Sequence, residues 1–179
     1  DIGAIYIYNK DEGGTDNWGE VKKITGPSGT SGHKFGFSVR INGDYIAVGS
    51  PWEGVQNVHV NGAIYVFKKD YDPLTPNDIS SNAWGQLKKL TIDSNTYSWS
   101  SAQLGVDIAM TENYIFGSTR QNTILVYKKN EGGTDNWGEI NTLEGDSDGN
   151  SSGYDNRFGF MDTQTTTVGK AIDVDGDYV

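Results

Sequence analysis

The sequence predicts an all-β chain assembled from repeated four-stranded antiparallel units, and three observations carry that expectation. The first is composition: the 179 residues include 26 Ile plus Val, 15 Thr and 21 aromatics against only 6 Leu and 7 Ala. β-Branched and aromatic side chains suit a pleated, half-buried surface, while scarce Ala and Leu starve helices. The second is an internal repeat with a period near 60 residues. The third is apolar–polar alternation within each period, broken by Gly- and Asn-rich turns, as short strands require.

Three segments recur in one order. Gly3-Ala4-Ile5-Tyr6-Ile7-Tyr8-Asn9-Lys10 returns as Gly62-Ala63-Ile64-Tyr65-Val66-Phe67-Lys68-Lys69 and again as Thr123-Ile124-Leu125-Val126-Tyr127-Lys128-Lys129. The octamer Gly13-Gly14-Thr15-Asp16-Asn17-Trp18-Gly19-Glu20 recurs unchanged 119 residues later as Gly132–Glu139, with a weaker middle copy at Asn82-Ala83-Trp84-Gly85-Gln86. The third segment is Phe35–Pro51, echoed by Leu104–Ser118 and by Val168–Val179. Co-repetition at a fixed period marks a repeat architecture.

The elements follow in order. Phe35–Ile41 is expected as a first strand, Asn42-Gly43 as a tight hairpin turn, and Tyr45–Val48 as a second strand. The Gly-Ala-Ile-Tyr-Val-Phe-Lys-Lys run is a third strand. The run opening at Trp18, Trp84 or Trp137 is a fourth, more polar one, whose Lys22, Lys23, Lys88 and Lys89 suit an exposed sheet edge. Four strands per unit, apolar inside and charged outside, is the pattern of a β-propeller blade. Approximate repeats are a half blade at 1–34, blades at 35–91 and 103–142, and a half blade at 158–179. Blades need neighbours to bury their faces, so the chain is expected to be part of a larger protein. Several copies closing a ring is the alternative.

Composition also excludes. A net charge of −10 argues against a nucleic-acid partner, whose phosphates need a basic face. No apolar run approaches the roughly 20 residues of a membrane span. Absence of Cys removes disulfides, thiolate catalysis and Cys-based zinc sites. The two histidines, His33 and His59, fall in expected loops, without a Gly-x-Ser-x-Gly elbow or a phosphate loop.

Phe35-Gly36, then Gly49-Ser50-Pro51, then Gly62-Ala63-Ile64-Tyr65-Val66-Phe67 resembles the FG-GAP repeat, the blade unit of the integrin α-subunit propeller and of many extracellular repeat proteins. The likeness extends over essentially the whole chain, with Leu104-Gly105 and Gly117-Ser118-Thr119 at the second copy's signature positions. In the third copy Phe158-Gly159-Phe160 and Val168-Gly169 compete for the same position, and the second is preferred because it aligns without gaps through Gly176-Asp177-Tyr178, leaving the Phe158 segment as an insertion. The resemblance implies a non-enzymatic extracellular or cell-surface module for adhesion, recognition or structure. Its partner would be a protein or glycan, together with neighbouring blades of the same or another chain. A segment of a propeller-type carbohydrate-active or other enzyme, with catalytic residues elsewhere, is the competing reading.

FG-GAP blades can hold calcium through Asp at positions 1, 3, 5 and 9 of the first hairpin. Asp173, Asp175 and Asp177 match the first three positions. The hairpins at Arg40–Asp44 and Ala109–Asn113 lack the set, and Asp175-Gly176 also reads as a plain type I′ turn. Asp146, Asp148 and Asp155 have the wrong spacing. Trp18, Trp84 and Trp137 share one repeat position and are expected to be packing residues. Trp52, Tyr97, Trp99 and Tyr154 do not repeat, fall in loops at one end of the blades, and are the candidate ligand-binding aromatics. Asn150-Ser151-Ser152 is a lone glycosylation triplet.

Overall fold

Ten strands and one short hairpin make up the described residues of the computed structural model, which are 2–27, 32–54, 60–72, 83–92, 102–120, 123–144 and 172–179. No helix lies among them, so none is long and apolar enough to cross a membrane. The strands are β1 (Ala4–Lys10), β2 (Trp18–Thr25), β3 (Val39–Asn42), β4 (Tyr45–Ser50), β5 (Ala63–Lys69) and β6 (Trp84–Thr91). They continue with β7 (Ile108–Met110), β8 (Tyr114–Ser118), β9 (Thr123–Lys128) and β10 (Gly138–Glu144).

All pairings within the sheets are antiparallel and sequential. β3-β4-β5-β6 is one four-stranded blade, β7-β8-β9-β10 a second, and β1-β2 pair as the outer half of another. Residues 172–179 begin a further inner hairpin, closed by the Asp175–Tyr178 bridge. The outermost pair is irregular at one place in every unit: the register shifts between Ile7 and Tyr8, Val66 and Phe67, and Glu139 and Asn141. An extra residue there (Val21, Leu87, Ile140) bends and twists the edge strand. The repeat is therefore one of backbone geometry as well as sequence.

The blades pack face to face, and the core sits between them. Tyr45, Ala47, Ile64 and Val66 from one face of the first blade meet Leu104, Ile108, Ile115 and Trp137 of the second. The opposite face of the first blade, with Ile46, Val48, Tyr65 and Phe67, covers Ile5, Ile7 and Ile24 of β1-β2. β4 is buried at every position and β5 at its first five, because each has a blade on both faces. This explains continuous apolar runs where a half-solvated strand would alternate.

Three expectations need correction. The first strand starts at Val39 rather than Phe35. Phe35-Gly36 forms a turn in which Gly36 has φ +86°, and the Gly36 and Phe37 N–H groups both donate to the Gly49 carbonyl, at 3.0 and 3.2 Å. The turn drops the Phe35 ring into the seam, edge-on to Tyr65 and Phe67 at 5.5 and 6.2 Å between centroids. The hairpin turn is Gly43-Asp44, flanked by paired Asn42 and Tyr45, with positive φ only at Gly43. It is not type I′, which needs positive φ at both central residues.

The third correction concerns the second signature. Register pairs Ile108 with Gly117 as it pairs Val39 with Val48, so Ser118, not Gly117, takes the place of Gly49. Accordingly the Gly105 N–H donates to the Ser118 carbonyl at 3.0 Å, as Gly36 does to Gly49. Gly117 instead makes room for the neighbouring blade, since a Cβ there would collide with Ile64 across the seam and with Leu104 of its own blade.

Candidate functional site: the blade seam and the loop rim

The repeated octamer builds the seam. In both copies the turn folds alike: the Asp16 N–H donates to Asp11 Oδ1 at 2.7 Å, and the Asp135 N–H to Asn130 Oδ1 at 2.8 Å. The Asn17 and Asn136 amides donate to the Glu12 and Glu131 carbonyls. In the second blade this loop docks on the first. Asp135 accepts from the Tyr45 hydroxyl at 2.7 Å and from Lys68 Nζ at 2.6 Å, and Lys88 Nζ donates to Asn136 Oδ1. The fully buried Trp137 ring stands edge-on to Tyr45 at 5.7 Å, a favourable aromatic geometry. Lys129 lies 4.2 Å from the Tyr45 centroid.

The electrostatics follow from this packing. Burial works to raise the Asp135 carboxyl, but hydrogen bonds from Lys68 and Tyr45 and the charges of Lys68 and Lys129 outweigh it, holding the group below its ordinary value. Burial, then the hydrogen bond to Asp135 and its charge, push the Tyr45 hydroxyl well above its usual range. Nearer the inner strands, Asp107 ties three units together. It accepts from Arg40 of the first blade at 3.2 Å, from its own neighbour Ile108 N–H at 2.8 Å, and from the Ile172 N–H at 2.9 Å. Ser38 Oγ donates to the Gly105 carbonyl alongside, at 2.8 Å.

At the opposite end of the blade from the octamer loops lies Trp52, half exposed in the connection after β4. The loop is held from below. Glu53 accepts from the Tyr65 hydroxyl at 2.6 Å and pairs with Lys89 Nζ, while the Gly62 N–H donates to the Glu53 carbonyl at 2.8 Å. Burial, followed by the hydrogen bond and charge of Glu53, raises Tyr65 far above its ordinary value. The Trp52 N–H donates to the His33 carbonyl at 3.1 Å, and Lys34 Nζ sits 5.1 Å from the indole. A flat aromatic face beside an ammonium, on an anchored loop, can stack on a sugar or anchor a partner side chain.

The structure places the other expected residues as follows. Tyr97, Trp99 and Tyr154 lie outside the described residues, as do His59, Asn150, Asp146, Asp148 and Asp155. Asp173, Asp175 and Asp177 share the last hairpin, but Asp173 Oδ1 accepts from the Val174 N–H at 2.9 Å. Among the described residues, no three acidic or histidine side chains converge on a point that could hold a metal. The turn there is Gly176-Asp177 with positive φ at Gly176 alone, again not type I′. Arg40, at the first calcium position of the first blade, is engaged by Asp107. The two complete hairpins do not fit calcium.

Trp84 and Trp137 are buried packing residues, whereas Trp18 is 65% exposed, because among the described residues no blade covers its side of β1-β2. Lys88 and Lys89 are not simple edge charges, since they reach Asn136 and Glu53. Sequence reasoning missed Asp107, Asp135 and Glu53. For Asp135 a signal existed: an octamer repeated in full within one chain carries its polar residues as well as its Trp.

Comparison with known proteins agrees with this geometry. Residues 18–67, from β2 through β5, match the FG-GAP repeat. No curated protein and no solved structure gives a match to the chain. Four-stranded antiparallel sheets together with that repeat make the chain a β-propeller segment.

Proposed function

From the FG-GAP repeat that the chain carries at residues 18–67, we propose that it serves in a non-enzymatic recognition or structural module at the cell surface or outside the cell. The blades form the scaffold, and the rim loops meet a protein or glycan partner. The observation that carries this reading is Trp52, half exposed beside Lys34 on a loop locked by Glu53, Tyr65 and Lys89. Exposed aromatics held on rigid loops lose little entropy when they bind, and such residues dominate interface energies. The acidic chain supports a partner other than nucleic acid.

Screening the purified chain against a glycan array and against extracellular protein fractions tests this. Trp52→Ala is expected to weaken whatever binding is found at least about tenfold, as loss of a central aromatic anchor does. Binding unchanged in Trp52→Ala sinks the rim reading. Turnover of a bound glycan would transfer the chain to the enzyme class.

A further inference from the structure

We propose that the Trp52 rim takes an acidic sugar, a uronate-type ring whose carboxylate pairs with Lys34 while its C–H face stacks on the indole. This deepens the rim reading above and rests on it. Indole and ammonium already stand together, with Lys34 Nζ 5.1 Å from the ring centroid. Even so, Trp52 remains 51% exposed, which leaves ring surface open for stacking.

Neither residue is dictated by the repeat. Gln103 stands before Leu104-Gly105 as Lys34 stands before Phe35-Gly36, and both adopt positive φ, 55° and 62°. The fold thus demands that backbone geometry but not the cation. Trp52 likewise lacks an aromatic counterpart. Gly49 and Ser118 hold equivalent register, opposite Ile64 and Ile124, and counting on from them sets Trp52 against Gln121. A Trp and a Lys that the blade does not need, brought together on one anchored loop, are the pair that a ligand would use.

Charge is divided unevenly between the two ends of the blades. Successive strands alternate in direction, so the octamer loops and the inner hairpin turns share one end, and the Trp52 loop lies at the other. Among the described residues, the octamer end holds nine of the eleven carboxylates in the connections between β1 and β10. The Trp52 end holds the other two, Glu53 and Asp107, and each is already paired, with Lys89 and Arg40. Its own cations, Lys34 and the exposed Arg120, have no salt-bridge partner among the described residues. An anion approaching these blades is therefore repelled at the octamer end and admitted at the Trp52 end. Two cations suit one or two sugar carboxylates, whereas a nucleic-acid backbone needs a broad basic face.

A sugar is favoured over an acidic peptide by entropy. In a uronate the apolar face and the carboxylate belong to one rigid ring. A peptide must order an acidic and an apolar side chain to make the same two contacts.

Titrating the purified chain with tri-galacturonate and with its methyl ester isolates the charge, because the two differ only at the carboxyl groups. The acid is expected to bind at least about tenfold more tightly than the ester at low salt, with the gap narrowing as salt is added. Lys34→Gln, the side chain that the second blade carries there, should bring the acid down to the affinity of the ester. Trp52→Ala should weaken both, and both variants should keep the wild-type melting temperature. Equal affinity for acid and ester, or a preference for the acid that survives in Lys34→Gln, would overturn the acidic-sugar assignment. A triglutamate peptide binding as tightly as tri-galacturonate would overturn it too, in favour of an acidic protein. In each of those cases, loss of affinity in Trp52→Ala leaves the rim reading standing. Binding of neither sugar also overturns the assignment, and the rim reading is then decided separately, by Trp52→Ala against the partner that screening returns.

Discussion

Tyr45 shows how one residue can decide a seam. Its ring supports Trp137, its hydroxyl donates to Asp135, and Lys129 approaches its face. Trp137→Ala removes a buried indole where the rigid blades on either side cannot collapse, so it should cost about 3–5 kcal/mol, read by chemical denaturation. A loss below about 1 kcal/mol would show that the seam is not the core of this fold. The pH dependence carries a definite sign. Asp135 is held below its unfolded value, so its contribution is present above about pH 4 and lost as the solution is acidified through the lower folded value. Tyr45 and Tyr65 are raised, so stability is intact below about pH 10 and falls above it, where only the unfolded chain releases those protons. In Tyr45→Phe the acid step should shrink because Asp135 loses a donor, with no change in the strands. An acid limb identical to wild type would contradict the geometry.

The hairpin between first and second strands is the element in which family likeness and local chemistry part. A calcium ion wants six to eight oxygens, and a usable loop must bring several together. In the first blade Arg40 reaches Asp107, in the second Ala109 offers no side-chain oxygen, and the Thr111 hydroxyl is occupied in accepting from the Tyr114 N–H at 3.0 Å. These hairpins are predicted to bind no calcium. Isothermal titration and a calcium-soaked map should place no ion at Asn42 or Asn113, and seven-coordinate density there would refute this.

The same elements show what a sequence can tell. Strand order and the four-strand unit were legible because period, alternation and turn residues all survive in one chain. The Phe35 turn was not, since an alternating pattern looks alike whether its first residue pairs or drops into a seam. The register of Gly117 and Ser118 was hidden for a similar reason. Matching glycines by type ignores which of them faces the neighbouring blade. Asp107 joins Arg40 and Ile172 across long stretches of chain, a contact that no local spacing encodes.

At the scale of the molecule, stability should be graded along the stack of blades, because each unit contacts only its neighbours. β4 and β5 have blades on both sides and β9 lies between the first blade and the 172–179 hairpin, while β1-β2 bury one face only and expose Tyr6, Tyr8 and Trp18 on the other among the described residues. Native-state hydrogen exchange reports such local opening directly. In dilute solution the amides of β1-β2 should therefore exchange well before those of β5 and β9, with β4 among the slowest. Uniform protection along all the strands in dilute solution would mean that the chain unfolds as one cooperative body, and the blade-by-blade account of its stability would fail.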